Sequence, residues 1–282
     1  MAEQRASKLN WLERNLPEGL VVDAAWLARH DYSTSLRSQY VAAGWLEQPT
    51  RGVYGRPRGT LTWQQTVISL QTLLEYPLVV GGRTALELQG YAHYLAQTVK
   101  EVHLYGPKAP PNWLAKLPLG VRFPWHNDRR LFRNAQVSRS ADGLDWKRKE
   151  GEGAHGGAAQ GNFIVQPWGQ WEWPLRLSAP ERAILEMLDE LPKRESFHQV
   201  DMLMEGMANL SPRRLQNLLE DCRSVKVKRL FYFFAERHKH AWLKRLNKDA
   251  VDFGKGKRWL VKGGKFDSAH QITVPEDMNG LR

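Results

Sequence analysis

Between Lys8 and Arg58, helix caps and stops crowd together so closely that only short helices and one strand pair fit between them. Leu9, Leu12 and Leu16 recur at helical spacing, and Pro17 and Gly19 end that segment. Asp23 stands ready to cap a helix from Ala24 to His30. Ser33-Thr34-Ser35 does the same for Leu36 to Ala43, which Gly44 closes. Two short helices about three residues apart make a helix-turn-helix signature. Gly44 to Glu47, a Gly/Pro turn through Gln48 to Gly52, and Val53 to Arg56 then read as a short strand, a turn and a second strand. The whole predicts a winged helix-turn-helix over 8–58, inside an N-terminal domain of 1–95.

Steps of 100° along the third helix put Leu36, Tyr40 and Ala43 on an inward side and Thr34, Arg37, Ser38 and Val41 opposite. Small hydroxyl residues with one Arg suit a major groove, so Thr34, Arg37 and Ser38 are the expected base readers. Arg51, Arg56 and Arg58 on the wing are expected to reach phosphates or the adjacent minor groove. A small helical domain used for protein contact is the competing reading, because winged helices also serve that purpose and the net charge here is only modestly positive.

Charge is concentrated elsewhere. The stretch from Cys222 to Lys265 holds fourteen Lys or Arg against Glu236, Asp249 and Asp252, an excess equal to the +11 of the whole 282-residue chain. A localised cationic segment points to a polyanion, nucleic acid first, with a merely solubilising surface as the alternative. Within it, Lys226, Lys228, Arg229, Lys257 and Arg258 are the expected phosphate contacts. A hydrophobic share of 42% is ordinary for a globular protein, and the length allows a second, larger domain over 96–282. The expected class is therefore α+β: the winged helix-turn-helix, then a mixed α/β domain whose distal half is helical and basic.

The single Cys222 excludes an internal disulfide and multi-cysteine metal sites, which points to a reducing compartment. Met1 to Trp11 carries no apolar signal core, and no apolar run approaches the roughly 20 residues of a membrane span, so a cytoplasmic location is expected. No cofactor is expected. Gly81-Gly82 before Thr84 to Gln89 lacks the spaced glycines and the Lys of a phosphate loop, and reads as a plain turn. His238 and His240 diverge by about 200° on a helix, which argues against zinc. Glu181, Glu186, Asp189 and Glu190 read as a solvated helix face. Nothing in the residues makes a case for catalysis, and a non-enzymatic protein is expected.

Gly151 to Gly161 reads as a mobile loop or linker, and Trp168, Trp171 and Trp173 after it as packing residues, with stacking on bases as the alternative. Ser178-Ala179-Pro180-Glu181 has the form of a capping box, and Ser211-Pro212 caps a following helix. Val225 to Leu246 reads as one long helix or two abutting ones. Lys257 to Val261 with Gln271 to Val274 reads as a hairpin around Gly263-Gly264.

Several ordered segments together resemble the AbiEi-type antitoxins of type IV, abortive-infection toxin–antitoxin systems. They are Arg51 to Tyr54, Gly81 to Leu86 with Gly90, Leu177 to Glu186, Cys222 to Phe231 and Gly254 to Arg258. The Gly-rich segment 151–161 has no counterpart in that pattern. The resemblance implies an autorepressor whose winged helix binds inverted repeats in double-stranded promoter DNA. It also implies an antitoxin that counteracts a nucleotidyltransferase toxin without forming a stable complex with it, and basic surfaces on both domains that hold DNA. An RNA- or tRNA-binding module that protects the toxin's substrate is the alternative.

Overall fold

A computed structural model describes residues 2–91, 99–134 and 161–278. Helix α1 (Ala2–Asn15) leads into strand β1 (Val21–Asp23), then α2 (Ala24–Arg29) and α3 (Thr34–Ala42). The caps form where the residues foretell them: the Asp23 carboxylate accepts from Trp26 N–H at 2.7 Å, and Ser33 Oγ from Leu36 N–H at 3.2 Å. Strands β2 (Glu47–Thr50) and β3 (Val53–Gly55) turn at Arg51-Gly52, where Gly52 takes a φ of 80° that disfavours any side chain. They close a three-stranded sheet of order β1-β3-β2, with Val22 opposite Tyr54 and Thr50 opposite Val53. Leu12, Leu16, Leu20, Leu27 and Val53 are fully buried beneath it.

Helix α4 (Trp63–Thr72) opens on a reciprocal cap between Thr62 and Gln65 and joins this unit to the rest. Its Ser69 Oγ accepts from the β1 N–H of Val21 at 2.9 Å. Two residues on, the Gln71 amide donates to the carbonyls of Leu78 and Arg176 and accepts from Arg176 N–H, at 2.9–3.1 Å. A buried amide held by β8 and by the residue before β4 is satisfied on both its ends.

Next come β4 (Val79–Val80), α5 (Gly82–Leu88), β5 (Leu104–Tyr105), β6 (Trp125–His126), α6 (Asp128–Leu131), β7 (Phe163–Trp168) and β8 (Trp173–Ser178). Their five strands form a mixed sheet of order β6-β5-β4-β8-β7, parallel at β4/β8 and β5/β6. The sheet draws strands from both sides of the division expected at 95/96, and the main buried core runs on from the first unit into the last helices.

Four helices complete the chain: α7 (Pro180–Asp189), α8 (Phe197–Glu205), α9 (Pro212–Asp221) and α10 (Val225–His238). The expected capping box at α7 does not form. Ala179 is the N-cap, Ser178 Oγ donates instead to Glu186, and Glu181 accepts from Ser211 N–H and Arg214 on α9. Helix α10 stops at His238 because Lys239 turns left-handed, and a 3-10 segment, Ala241–Arg245, follows. Strands β9 (Lys265–Asp267) and β10 (Ile272–Val274) then pair antiparallel. The expected partner of β10, Lys257 to Val261, runs alongside through a parallel bridge of Arg258 to Ile272. The mixed α+β class therefore holds, while segment 151–160 lies outside the described residues.

Candidate nucleic-acid interface

The outward side of α3 carries Thr34, Ser35, Ser38, Gln39 and Ala42, all exposed. Tyr40 is buried and Leu36 half-buried, so the inward stripe keeps these two. Ser38 Oγ donates to the Thr34 carbonyl at 3.1 Å, a local bond that a groove ligand can replace. Trp45, half exposed, stands just beyond the helix end, and Arg51 is exposed at the tip of the β2–β3 turn.

Arg37 departs from expectation. It is 8% exposed, with Nη1 donating to the Ala24 carbonyl at 2.9 Å and Nη2 to Thr34 Oγ1 at 2.8 Å. Its guanidinium also lies 5.6 Å from the centre of the Tyr54 ring. Its Cα leaves the helix on the outward side, but the long arm folds back, because α2 and β3 offer it a carbonyl and an aromatic face. Arg37 holds the helices together instead of projecting into a groove.

The other cations expected on a wing divide the same way. Arg56 donates to the carbonyls of Glu13 and Leu16 at 3.2 and 3.3 Å and to Glu18 Oε1 at 3.0 Å, closing the negative end of α1. Arg58 sits 5.1 Å from the Trp171 ring centre on the β7–β8 turn. Of the three, Arg51 is exposed, while Arg56 and Arg58 are half-buried.

Helix α10 is wrapped by neighbours over most of its length, and its cations turn inward. Lys226 Nζ donates to the carbonyls of Asp189 and Leu191 and lies 3.4 Å from Asp189 Oδ1, capping the end of α7. Lys228 is 2% exposed. Arg229, 3% exposed, donates to four carbonyls: Phe253 at 3.0 Å, Gly254 at 3.1 Å, Gly256 at 2.6 Å and Gln271 at 3.1 Å. All three were expected at phosphates; Lys226 and Arg229 instead satisfy carbonyls at the end of α7 and in the loops beside α10, and Lys228 is buried. Lys257 and Arg258 are exposed as expected.

The sequence reading missed Ser35, Gln39 and Trp259. Ser35 lies three residues before Ser38 and four before Gln39, so the same helical spacing already contained the first two. The Gly81-Gly82 turn does cradle an anion, but the chain supplies it: Glu186 Oε2 accepts from Gly82 N–H at 2.9 Å. Glu186, paired with the buried Arg182 at 2.7 Å, and Glu181 are buried, which corrects the solvated face expected for them, while Asp189 and Glu190 are half-buried. Burial raises the Glu186 carboxyl above its ordinary range, against the pull of Arg182. Beyond it, Glu195 is buried beside Arg83 at 3.4 Å, and burial pushes its carboxyl up to about 7. His103, whose Nδ1 is 3.1 Å from His126 Nε2, is pushed down to about 4 by burial and by His126.

Among the described residues no group of three or more His, Cys, Asp or Glu is placed to hold a metal ion, and no helix is long and apolar enough to cross a membrane. The chain does not match a curated protein. It is similar in fold to the RV2827C protein from Mycobacterium tuberculosis, with a TM-score of 0.53 at 16% identity over 94% of this chain and 88% of that one. Residues 5–97 match the AbiEi antitoxin N-terminal domain of transcriptional regulators. Residues 99–275 match the transcriptional regulator, AbiEi antitoxin of type IV toxin–antitoxin systems. With both models spanning nearly its whole length, the chain belongs to the AbiEi antitoxin family of type IV toxin–antitoxin transcriptional regulators.

Proposed function

We propose that this protein is a sequence-specific autorepressor, and the antitoxin that counteracts a nucleotidyltransferase toxin without a stable complex. In this reading the helices and strands of 8–58 act as a winged helix-turn-helix. The domain division near 95/96 separates DNA reading from antitoxin work, and the protein acts in the cytoplasm without catalysis of its own. The observation that carries the reading is the polar face of α3, where Thr34, Ser35, Ser38 and Gln39 stand exposed beyond a capped turn. Hydroxyls and a carboxamide can donate and accept at base edges, and Gln pairs doubly with adenine. Arg51 supplies a phosphate or minor-groove contact at the wing tip, and Lys257 and Arg258 supply phosphate contacts at the far end of the chain.

A reporter driven by the chain's own promoter tests this. The wild-type protein represses it, and a Ser38→Ala, Gln39→Ala double variant that still folds releases it. Repression left intact by that variant would remove α3 from the account. Co-expression with a cognate nucleotidyltransferase toxin tests the antitoxin half: growth is restored, and size-exclusion chromatography shows two separate proteins.

A further inference from the structure

Around the β9–β10 hairpin the chain leaves an indole in the midst of its cations. Trp259 is 74% exposed, more than any other large hydrophobic residue described. Lys255, Lys257, Arg258, Lys262 and Lys265 around it are all exposed, and no acid falls between Phe253 and Phe266. Lys257 Nζ lies 5.0 Å from the centre of the Phe266 ring, whose own centre is 6.2 Å from that of Trp259.

The support beneath is stiff. Arg258 N–H donates to the Gln271 carbonyl at 2.9 Å, and Thr273 N–H donates to the Arg258 carbonyl at 3.0 Å. Thr273 Oγ1 accepts from the N–H groups of Leu260 and Val261 at 2.7 and 3.0 Å. Arg229 holds the preceding loop from inside by the carbonyls of Gly254 and Gly256. A Cβ on Gly264 would overlap the Val274 carbonyl, so the turn lies tight against β10. An aromatic side chain is held in solvent on backbone that is already ordered, which spares a ligand that cost.

We propose that Trp259 is a stacking platform for an unpaired nucleobase, and that the flanking Lys and Arg side chains hold the adjoining phosphates of a single-stranded nucleic acid. Bases inside a duplex have both faces covered by their neighbours and offer the protein only their edges, so duplex DNA has no face to give this indole. An unpaired base does, whatever its identity. An anionic bilayer would also attract cations and one Trp. Leu260 and Val261, however, are half-buried, and the hairpin presents no second exposed large hydrophobic residue to insert. The site goes beyond promoter binding by α3 and does not depend on it.

The test uses the full-length chain and fluorescence anisotropy with labelled oligomers of about 12 nucleotides, within the site sizes of single-strand-binding grooves. The probes are oligothymidine, oligouridine, an abasic deoxyribose-phosphate strand of equal length and an unrelated duplex. Vesicles of phosphatidylglycerol and phosphatidylcholine form a further arm, read by sedimentation. The base-bearing strands should bind more tightly than the abasic one, and Trp259→Ala should weaken them roughly 5- to 150-fold. The same variant should leave the abasic and duplex affinities unchanged, and Trp259→Phe should recover most of the loss. Whichever of oligothymidine and oligouridine binds more tightly identifies DNA or RNA as the ligand. Equal affinity of wild type and Trp259→Ala for the base-bearing strands would overturn the proposal. So would an equal loss on strand and duplex, or tight vesicle binding that disappears with Trp259 while the strands bind undisturbed. The Ser38→Ala, Gln39→Ala variant should bind single strands as the wild type does, so failure of the promoter reading and failure of this one are separable.

Discussion

Arg37, Arg56, Lys226 and Arg229 share one fate: each delivers its charge to backbone carbonyls of neighbouring segments. Arg229 shows the energetic consequence. Arg229→Ala leaves the carbonyls of Phe253, Gly254 and Gly256 without their Arg donor and Gln271 with the Arg258 N–H but not the guanidinium, and should cost about 3–5 kcal/mol, read as a lower urea midpoint. Arg37→Ala removes two charged hydrogen bonds and the Tyr54 contact, so it should cost about 1–3 kcal/mol of stability. Gln39→Ala should leave stability within about 0.5 kcal/mol of wild type, yet lower discrimination at one operator base pair by about 1–3 kcal/mol. A single experiment series, urea melts beside binding to operator variants, separates these two residues. Equal stability losses for Arg37→Ala and Gln39→Ala would contradict the division. The sequence placed Thr34 and Ser38 outward because short side chains stay where the helix points them. It misplaced Arg37 because a long arm chooses its partner, and Ala24 and Tyr54 lie well away from it in the chain.

At the scale of elements, the strand–Gly–Gly–helix junction was legible as local structure but not as an anion seat. The anion, Glu186, comes from α7, 104 residues further along. Gly81 has an ordinary φ of −137°, so its need for glycine is one of space: a Cβ would run into the Glu186 carboxylate and the Tyr105 ring. Gly81→Ala should therefore destabilise the protein by about 2–3 kcal/mol, and a thermal melt indistinguishable from wild type would refute the close approach.

The neighbouring buried acid gives a pH dependence. Burial raises Glu195 from 4.5 to about 7, so the folded state binds this proton more tightly than the unfolded chain does. The stability it contributes in acid is lost as pH rises from 4.5 through about 7. Glu195→Gln should exceed wild type in stability near pH 8 by at most about 3 kcal/mol, with the gap closing below about pH 4.5. A gap that stays constant across that range would rule the titration out. Hairpin pairing at the C-terminal end was also misread. The Gly263-Gly264 turn was evident, but Lys265 to Asp267 takes the place next to β10 that Lys257 to Val261 was expected to fill. Thr273 and Arg229, which hold that arrangement, act across distances that no local pattern encodes.

For the whole molecule, α4 matters most. Through Ser69 it reaches β1, and through Gln71 it reaches β8 and the residue before β4, so the N-terminal three-stranded unit and the five-stranded sheet share a core. Family-level organisation was readable from ordered motifs spread along the chain. The path of the core across the 95/96 division was not, because it depends on which strands pair. Net charge likewise marked a cationic C-terminal half without saying which charges face solvent. The exposed ones, Lys257 and Arg258 among them, should contribute sequence-independent affinity: Lys257→Ala is expected to weaken binding to every duplex and lower the salt slope by about one.

The most direct test is titration of the full-length protein with its own promoter duplex and with a scrambled duplex of equal length, in matched salt. Promoter binding tighter than scrambled binding by about 10³-fold or more, reduced toward parity by Ser38→Ala with Gln39→Ala, is the predicted result. Equal affinity for both duplexes, or a preference that survives loss of those two side chains, would contradict it.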